Sequence, residues 1–450
     1  MARTLSTLPY GAPMKSTSLV LSSVALAFGL AGPASAATEI QWWHAMGGAL
    51  GEWVNDLAKG YNDSQKDYKV VPTFKGSYPE TLTAGIAAFR AGNAPDILQV
   101  FEVGTATMMA SKGAIVPVGK VMKDSGLPFD PTSYVSAVAG YYTAPNGQML
   151  SMPFNSSTTI FYYNKDAFKA AGLDPAKPPA TWAEVALAAA KLKASGQACP
   201  FTTSWISWTQ LESFSAWHNV EFATKGNGMN GLDTRLMFNG PLQVRHIQDL
   251  ENMAKQGLFI YKGRDNKADA TFPSGECAMI TASAGLLGAV KKNAKFDFGV
   301  APLPYYQDVP GAPQNTVIGG ASLWVMSGKP ADHYKGVASF FNYLSSPEVQ
   351  SASHKRTGYL PITNAAFKLT DSSGFYKQNP GADVAVNQMI RKTTNKSRGI
   401  RLGNFLQIRT IIDEELEQVW AGKAGAKAAL DKAVSRGNEQ LQRFQAANKS

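Results

Sequence analysis

The sequence predicts an α/β protein built as two lobes, and two observations carry that prediction. Strand-length apolar runs alternate with amphipathic helical stretches, an order that asks for mostly parallel sheets flanked by helices. The chain has 450 residues, more than one hydrophobic core ordinarily fills, so two cores are expected.

The N-terminus comes first. Lys15 precedes an apolar run from Leu19 to Leu30, and small residues then lead to Ala34-Ser35-Ala36, an A-x-A cleavage site. That run is too short to span a membrane, so residues 1–36 read as a cleaved secretory signal peptide. No lipid-anchor cysteine follows it, and Met14 reads as a start as readily as Met1. Without residues 1–36 the chain keeps 41 basic and 33 acidic residues, a net +8. These charges are scattered, with no Lys/Arg block longer than two and no nucleic-acid motif, which argues against a nucleic-acid partner. A weak preference for anionic solutes is all the balance implies.

Glu39 to Trp43 reads as the first strand, and Gly47-Gly48 leads into a helix with Trp53, Leu57 and Tyr61 on one face. Tyr68 to Phe74 is a second strand, Pro79 opens a helix that Gly92 closes, and Ile97 to Phe101 is a third strand. Phe161, Tyr162 and Tyr163 end a strand that runs into a short helix capped by Asn164. Gly172 stops that helix, and Pro175, Pro178 and Pro179 forbid its continuation. Thr181 and Glu184 then form a capping box that starts another helix. Thr316 to Met326 reads as a buried strand interrupted at Gly319-Gly320, where backbone is expected to approach something closely. Ala421 to Phe444 reads as helix, and no internal repeat of solenoid length occurs.

In open α/β sheets, ligands sit beyond the carboxyl ends of strands. That rule selects Glu102, directly after the third strand, and the polar gap Ser156-Ser157-Thr158 between apolar runs. It also selects Ser283, after the strand Cys277 to Thr281 and before a helix beginning near Gly285, where a hydroxyl and backbone N–H groups suit an anion. Trp205 and Trp208 lie among Ser and Thr with no apolar stripe; they read either as a stacking surface for a polyol or as ordinary inter-helix packing. Arg409, within the first turns of a helix starting at Gly403-Asn404, reads either as an anion ligand or as the partner of a surface salt bridge to Asp413 or Glu414.

The remaining chemistry is sparse. Cys199 and Cys277 leave the cell for an oxidising compartment and read either as a disulfide or as two buried small hydrophobes. Five scattered histidines and two cysteines make no metal spacing, and no catalytic Ser/His/Asp or Cys/His pattern occurs. The glycine pattern GNGMNG at 226–231 lacks a preceding strand and reads as a loop. A non-enzyme without metal or cofactor is expected, against the competing reading of a secreted hydrolase.

The segment YYNKDAF, AGLDP, TWAE resembles the crossover of the maltose-binding-protein type of periplasmic solute-binding proteins, which feed ABC importers. Over essentially the whole chain after residue 36, the stretches 68–114, PFNSST, IGGASLWVM, TGYLPIT and RLGN…QIR more specifically resemble the sn-glycerol-3-phosphate-binding family of such importers. The resemblance implies a two-lobed periplasmic clamp, with lobes 37–153 plus 321–359 and 154–320 plus 360–450, and a ligand cleft between them. It implies a monomer, the importer's membrane permease as partner, and hinges near Phe154, Gly320 and Pro361. Matched motif by motif, the implied ligand-binding residues are Tyr78, Glu102, Ser157, Trp205, Trp208, Ser283, Gly320, Tyr359 and Arg409. Arg409, Ser157, Ser283, Tyr359 and the Gly320 N–H are expected on the phosphate, Glu102 at the glycerol end away from it, and Trp208 as a floor. A sugar or a glycerophosphodiester such as glycerophosphocholine is the alternative ligand. Leu406 and residues 393–397 depart from the family's proline-rich pattern and bear on how Arg409 is presented.

Overall fold

The computed structural model describes residues 36–448. The signal-peptide reading lies outside them, apart from Ala36. Ten strands form two sheets: β1 (Thr38–His44), β2 (Tyr68–Phe74), β3 (Ile97–Phe101), β4 (Ile115–Val116), β5 (Met152–Ser157), β6 (Thr159–Asn164), β7 (Cys199–Thr203), β8 (Cys277–Ser283), β9 (Phe298–Ala301) and β10 (Gly319–Met326). The first sheet runs β2-β1-β3-β10-β4 with β5 paired to β10, and the second runs β7-β8-β6-β9. The two-lobed α/β prediction holds.

The expectation of mostly parallel sheets does not. Among the described residues, parallel pairing is confined to β1 with β2 and β3, and β7 with β8. All pairs made by β10, and those of β6 with β8 and β9, are antiparallel. The reason is connectivity. β5 leaves the first sheet for β6 of the second through the single residue Thr158, and β10 returns from the second sheet to lie beside β3 and β5, running opposite to both. At this passage the Thr158 and Thr316 hydroxyls bond to each other at 2.5 Å, and Thr158 also donates to the Val317 carbonyl.

Local signals acted where the sequence placed them. Asn164 accepts from the Ala167 N–H at 2.9 Å, and the Thr181–Glu184 capping box is formed in both directions. The helix Gly48–Ser64 buries Trp53, Leu57 and Tyr61. In the helix Tyr78–Arg90, Gly85 permits close packing on β3, since a Cβ there would lie 2.4 Å from Leu98. Gly319-Gly320 does not interrupt a strand but opens β10, so the strand is shorter than the apolar run suggests. Gly320 is required twice over: its φ is +87°, and a Cβ would meet the Asn155 carbonyl oxygen at 1.9 Å. The helix read over Ala421 to Phe444 forms as Ala426–Asn448, its expected first residues lying instead in the turn around Gly422 and Gly425, and it packs on the preceding helix Phe405–Trp420. No helix among the described residues is long and apolar enough to cross a membrane.

Cys199 and Cys277 face each other in register across β7 and β8 and form a disulfide, which settles the open choice. The bridge closes a loop spanning 78 positions. A loop of that length is worth about 4.5 kcal/mol through the unfolded state. Reduction, or Cys199→Ala with Cys277→Ala, is therefore expected to lower the chemical-denaturation midpoint clearly; equal midpoints with and without reductant would show that the bridge does not stabilise the fold.

Candidate functional site

A cavity of about 850 Å³ opens where strands of both sheets end. Eight of the nine residues singled out by sequence line it: Tyr78, Glu102, Trp205, Trp208, Ser283, Gly320, Tyr359 and Arg409. Glu102 starts the turn after β3, Ser283 is the last residue of β8, and Gly320 lies at the start of β10. The ninth, Ser157, ends β5 and is buried behind Ser283, with the two hydroxyls 2.7 Å apart.

The aromatic wall is held by unusual backbone. Trp205 has φ of +52°, a left-handed conformation that costs a bulky residue about 1–3 kcal/mol. Its N–H donates to the Asp265 carbonyl at 2.8 Å. One turn later the chain forms a π-helix, Trp208–Ser213, a form that recurs at functional sites. Trp208 is buried against Gly319, where a Cβ would come within 2.3 Å of the ring, and its Nε1 is buried without a partner. Tyr78 stacks on Phe101 with centroids 5.1 Å apart and planes 4° from parallel. Its hydroxyl accepts from Asn155 Nδ2 at 2.7 Å, and Gln99 orients Asn155 in turn.

The charged end differs from the surface salt-bridge reading of Arg409. The helix Phe405–Trp420 carries it inward rather than to a surface pair with Asp413 or Glu414. Arg409 Nε and Nη2 donate to the two carboxylate oxygens of Glu212 at 2.7 Å each, and Nη2 also donates to Glu102 Oε1 at 2.7 Å. The guanidinium lies 5.1 Å from the ring centre of Phe405, which fixes its plane. Glu102 and Arg409 were expected at opposite ends of the ligand. They are instead in direct contact, because two buried carboxylates and one buried guanidinium are tolerable only when paired. Burial raises the Glu102 carboxyl, with Arg409 opposing and Glu212 adding to the rise. Burial works against the Arg409 charge, but the Glu212 and Glu102 carboxylates outweigh it and hold that charge firmly.

Sequence reasoning missed Glu212. The available signal was an acid inside TQLESFSAW, a stretch buried throughout, since a lone acid in such surroundings demands a cation.

The opposite end is built of hydroxyls. Ser283 Oγ accepts from the Gly285 N–H at 3.1 Å, capping the turn where a helix start was expected. The Tyr359 ring occupies the space a Cβ on Gly285 would fill, at 2.5 Å. Burial pushes the Tyr359 hydroxyl up to about 12, so it stays a donor at neutral pH. Among the described residues no group of three or more His, Cys, Asp or Glu is placed to hold a metal.

A fold of two sheets with an aromatic-walled cavity at their strand ends, into which a few polar groups converge, defines a solute-binding clamp, and comparison with known proteins gives its family. Residues 56–383 match the bacterial extracellular solute-binding protein family, and the chain belongs to it. The sn-glycerol-3-phosphate-binding periplasmic protein UgpB of Salmonella typhimurium is 55% identical over 429 residues, covering 95% of this chain and 98% of the relative. The protein of the same name from Yersinia pseudotuberculosis is 54% identical over 428 residues, covering 95% of this chain and 97% of its own. Among solved structures, UgpB from Mycobacterium tuberculosis in complex with glycerophosphocholine superposes with a TM-score of 0.77 at 23% identity, covering 90% of this chain and 99% of the other. The cyclic alpha-maltosyl-1,6-maltose binding protein from Arthrobacter globiformis gives 0.71 at 22%, covering 90% and 100%. At these identities the two structures share the fold.

Removing Arg409 leaves Glu102 and Glu212 facing each other without a cation. Arg409→Ala is expected to cost about 3–5 kcal/mol at pH 7.5. The sign of its pH dependence follows from the raised acid: a carboxyl whose folded pKa exceeds its unfolded value loses stability as pH rises. The loss should therefore shrink toward pH 5, as Glu102 takes up a proton. Thermal melts of the variant that are no better at pH 5 than at 7.5, relative to the parent, would contradict this.

Proposed function

We propose that this chain captures sn-glycerol-3-phosphate in the cavity between its sheets and delivers it, as a periplasmic monomer, to the membrane permease of an ABC importer. The observation that carries the reading is the pairing of two unlike ends within one cavity. At one end Arg409 Nη1 and Glu102 Oε2 make no hydrogen bond to another described side chain, leaving a donor beside an acceptor. A vicinal diol satisfies both, one oxygen accepting and the other hydroxyl donating. At the other end Ser283, Tyr359 and the Gly320 N–H supply neutral donors for a phosphate, with Ser157 behind them orienting the Ser283 hydroxyl. Lys291 lines the same cavity with its ammonium on Asn379 Oδ1 at 3.1 Å rather than on a carboxylate. It adds positive charge to what a buried anion needs.

Arg409 is accordingly assigned to the glycerol, not to the phosphate, because Glu102 and Glu212 already take up its charge. Trp208 and Trp205 stack against the carbon chain, and Tyr78 closes the side beside Phe101. The lobes 37–153 with 321–359, and 154–320 with 360–450, close on the ligand about the passages near Phe154, Gly320 and Pro361. The relatives are binding proteins rather than enzymes, and no catalysis, metal or cofactor is assigned to this chain.

Glycerophosphodiesters are a second reading favoured by one observation. A three-carbon chain with one phosphate fills only a part of about 850 Å³, which leaves room for a head group beyond the phosphate. A calorimetric panel of glycerol-3-phosphate, glycerophosphocholine, glycerol, inorganic phosphate and maltose tests both readings. Binding of glycerol-3-phosphate is expected, weakened at least about tenfold by Glu102→Gln through loss of a charged acceptor. Glycerophosphocholine binding would add the diester reading, and binding of maltose alone would overturn the phosphate ester altogether.

A further inference from the structure

We propose that Glu212, which does not reach the cavity itself, is a positioning residue that decides which end of the ligand meets Arg409 and what charge that end can carry. The inference deepens the glycerol-3-phosphate reading and rests on it.

The geometry comes first. Glu212 belongs to the π-helical segment that begins at Trp208. The wide turn of that segment brings the Ser207 hydroxyl, five residues earlier, to donate to Glu212 Oε1 at 3.0 Å. The carboxylate is thereby fixed in place, almost fully buried at 1% exposure. It takes Arg409 by Nε and Nη2 together, a bidentate grip that sets the plane of the guanidinium. Two of the guanidinium's edges are used by Glu212 and Glu102, so the N–H groups of Nη1 are what Arg409 has left to offer. The same short segment places Trp208, so the stacking floor and the orientation of Arg409 are set by one element.

Charge comes second. Glu102, Glu212 and Arg409 sum to −1, and all three are buried. A neutral diol fits beside that set, since it can both donate and accept. An anionic group at the same place meets excess negative charge in a low-dielectric site, and like-charge juxtaposition is a strong means of exclusion. Without Glu212, Glu102 and Arg409 would make a neutral pair, and an arginine held on one edge could turn toward an anion. Glu212 therefore assigns the phosphate to the hydroxyl end and keeps acids away from the diol end.

The probe is 3-phosphoglycerate, which carries a carboxylate where glycerol-3-phosphate carries its terminal CH₂OH. The full chain, its Glu212→Gln form and its Glu212→Asp form are titrated calorimetrically with both ligands, after melting curves confirm that each is folded. The unaltered chain is expected to bind 3-phosphoglycerate at least about hundredfold more weakly than glycerol-3-phosphate. Glu212→Gln, which keeps the shape and drops the charge, should narrow that ratio at least about tenfold. Glu212→Asp, which keeps the charge but shortens the reach, should weaken both ligands and preserve the ratio. An unchanged ratio in Glu212→Gln, with both affinities falling together, would reduce Glu212 to a structural residue and overturn the proposal. So would an unaltered chain that binds 3-phosphoglycerate within about tenfold of glycerol-3-phosphate, whether or not the variants fold. Failure of the unaltered chain to bind glycerol-3-phosphate would instead remove the underlying reading, and this inference with it.

Discussion

The buried contact of Arg409 with Glu102 and Glu212 is the interaction on which the rest of the site depends. It joins three parts of the chain that are far apart in sequence: the turn after β3, the π-helical segment after β7, and the helix Phe405–Trp420. None of the three charges is tolerable alone in that environment. Each element is therefore held against the other two by the cost of separation, and an ionic need becomes a geometric constraint. The polar edges left over face the cavity with their spacing already fixed, so little ordering remains when a ligand arrives.

The neutral end follows a different logic, in which close approach replaces charge. Trp208 can lie where it does because Gly319 has no side chain, and Tyr359 because Gly285 has none. Gly320 lets β10 start against the Asn155 carbonyl. The hydroxyls of Ser157 and Ser283 already bond to each other, so a ligand oxygen meets donors held by mutual contacts rather than free rotors. Specific aromatic walls and a pre-arranged hydroxyl cluster are what a small polyol ester requires, and they rest on three positions where any side chain would intrude.

Much of this was legible in the sequence. β2 and β3 were read to the residue, the Asn164 and Thr181–Glu184 caps formed as their spacing required, and strand-end reasoning alone reached Glu102, Ser157 and Ser283. These features are local, and local chemistry decides them. The mixed sheets were not legible, because the direction of β6 and β10 depends on where the chain goes after leaving a lobe rather than on any residue within the strand. The pairing of Cys199 with Cys277 was likewise open, since only the register of β7 on β8 brings them opposite. Glu212 was missed for a related reason. Residue types show an acid among Leu, Phe and Trp in a mixed stretch, but its partner lies 197 positions away. The contact of Arg409 with Glu102 spans 307 positions and was equally hidden, so the two were placed apart by the ligand groups each was expected to meet.

The passage between the sheets has a mechanical consequence. A single residue, Thr158, separates β5 from β6, and its hydroxyl is bonded to Thr316 in the segment that leads back into β10. There is no slack there to let one half slide along the other or pull away from it; either displacement would have to stretch covalent backbone. The closure proposed above would then be a rotation about the line through the two threonines. The two halves thus resemble the jaws of a flexure-pivot tweezer, in which a thin, stiff web suppresses shear while allowing bending. Because the cavity lies beside that web, the proposed closure would turn a small angle there into a small change in gap with the two jaws kept in alignment.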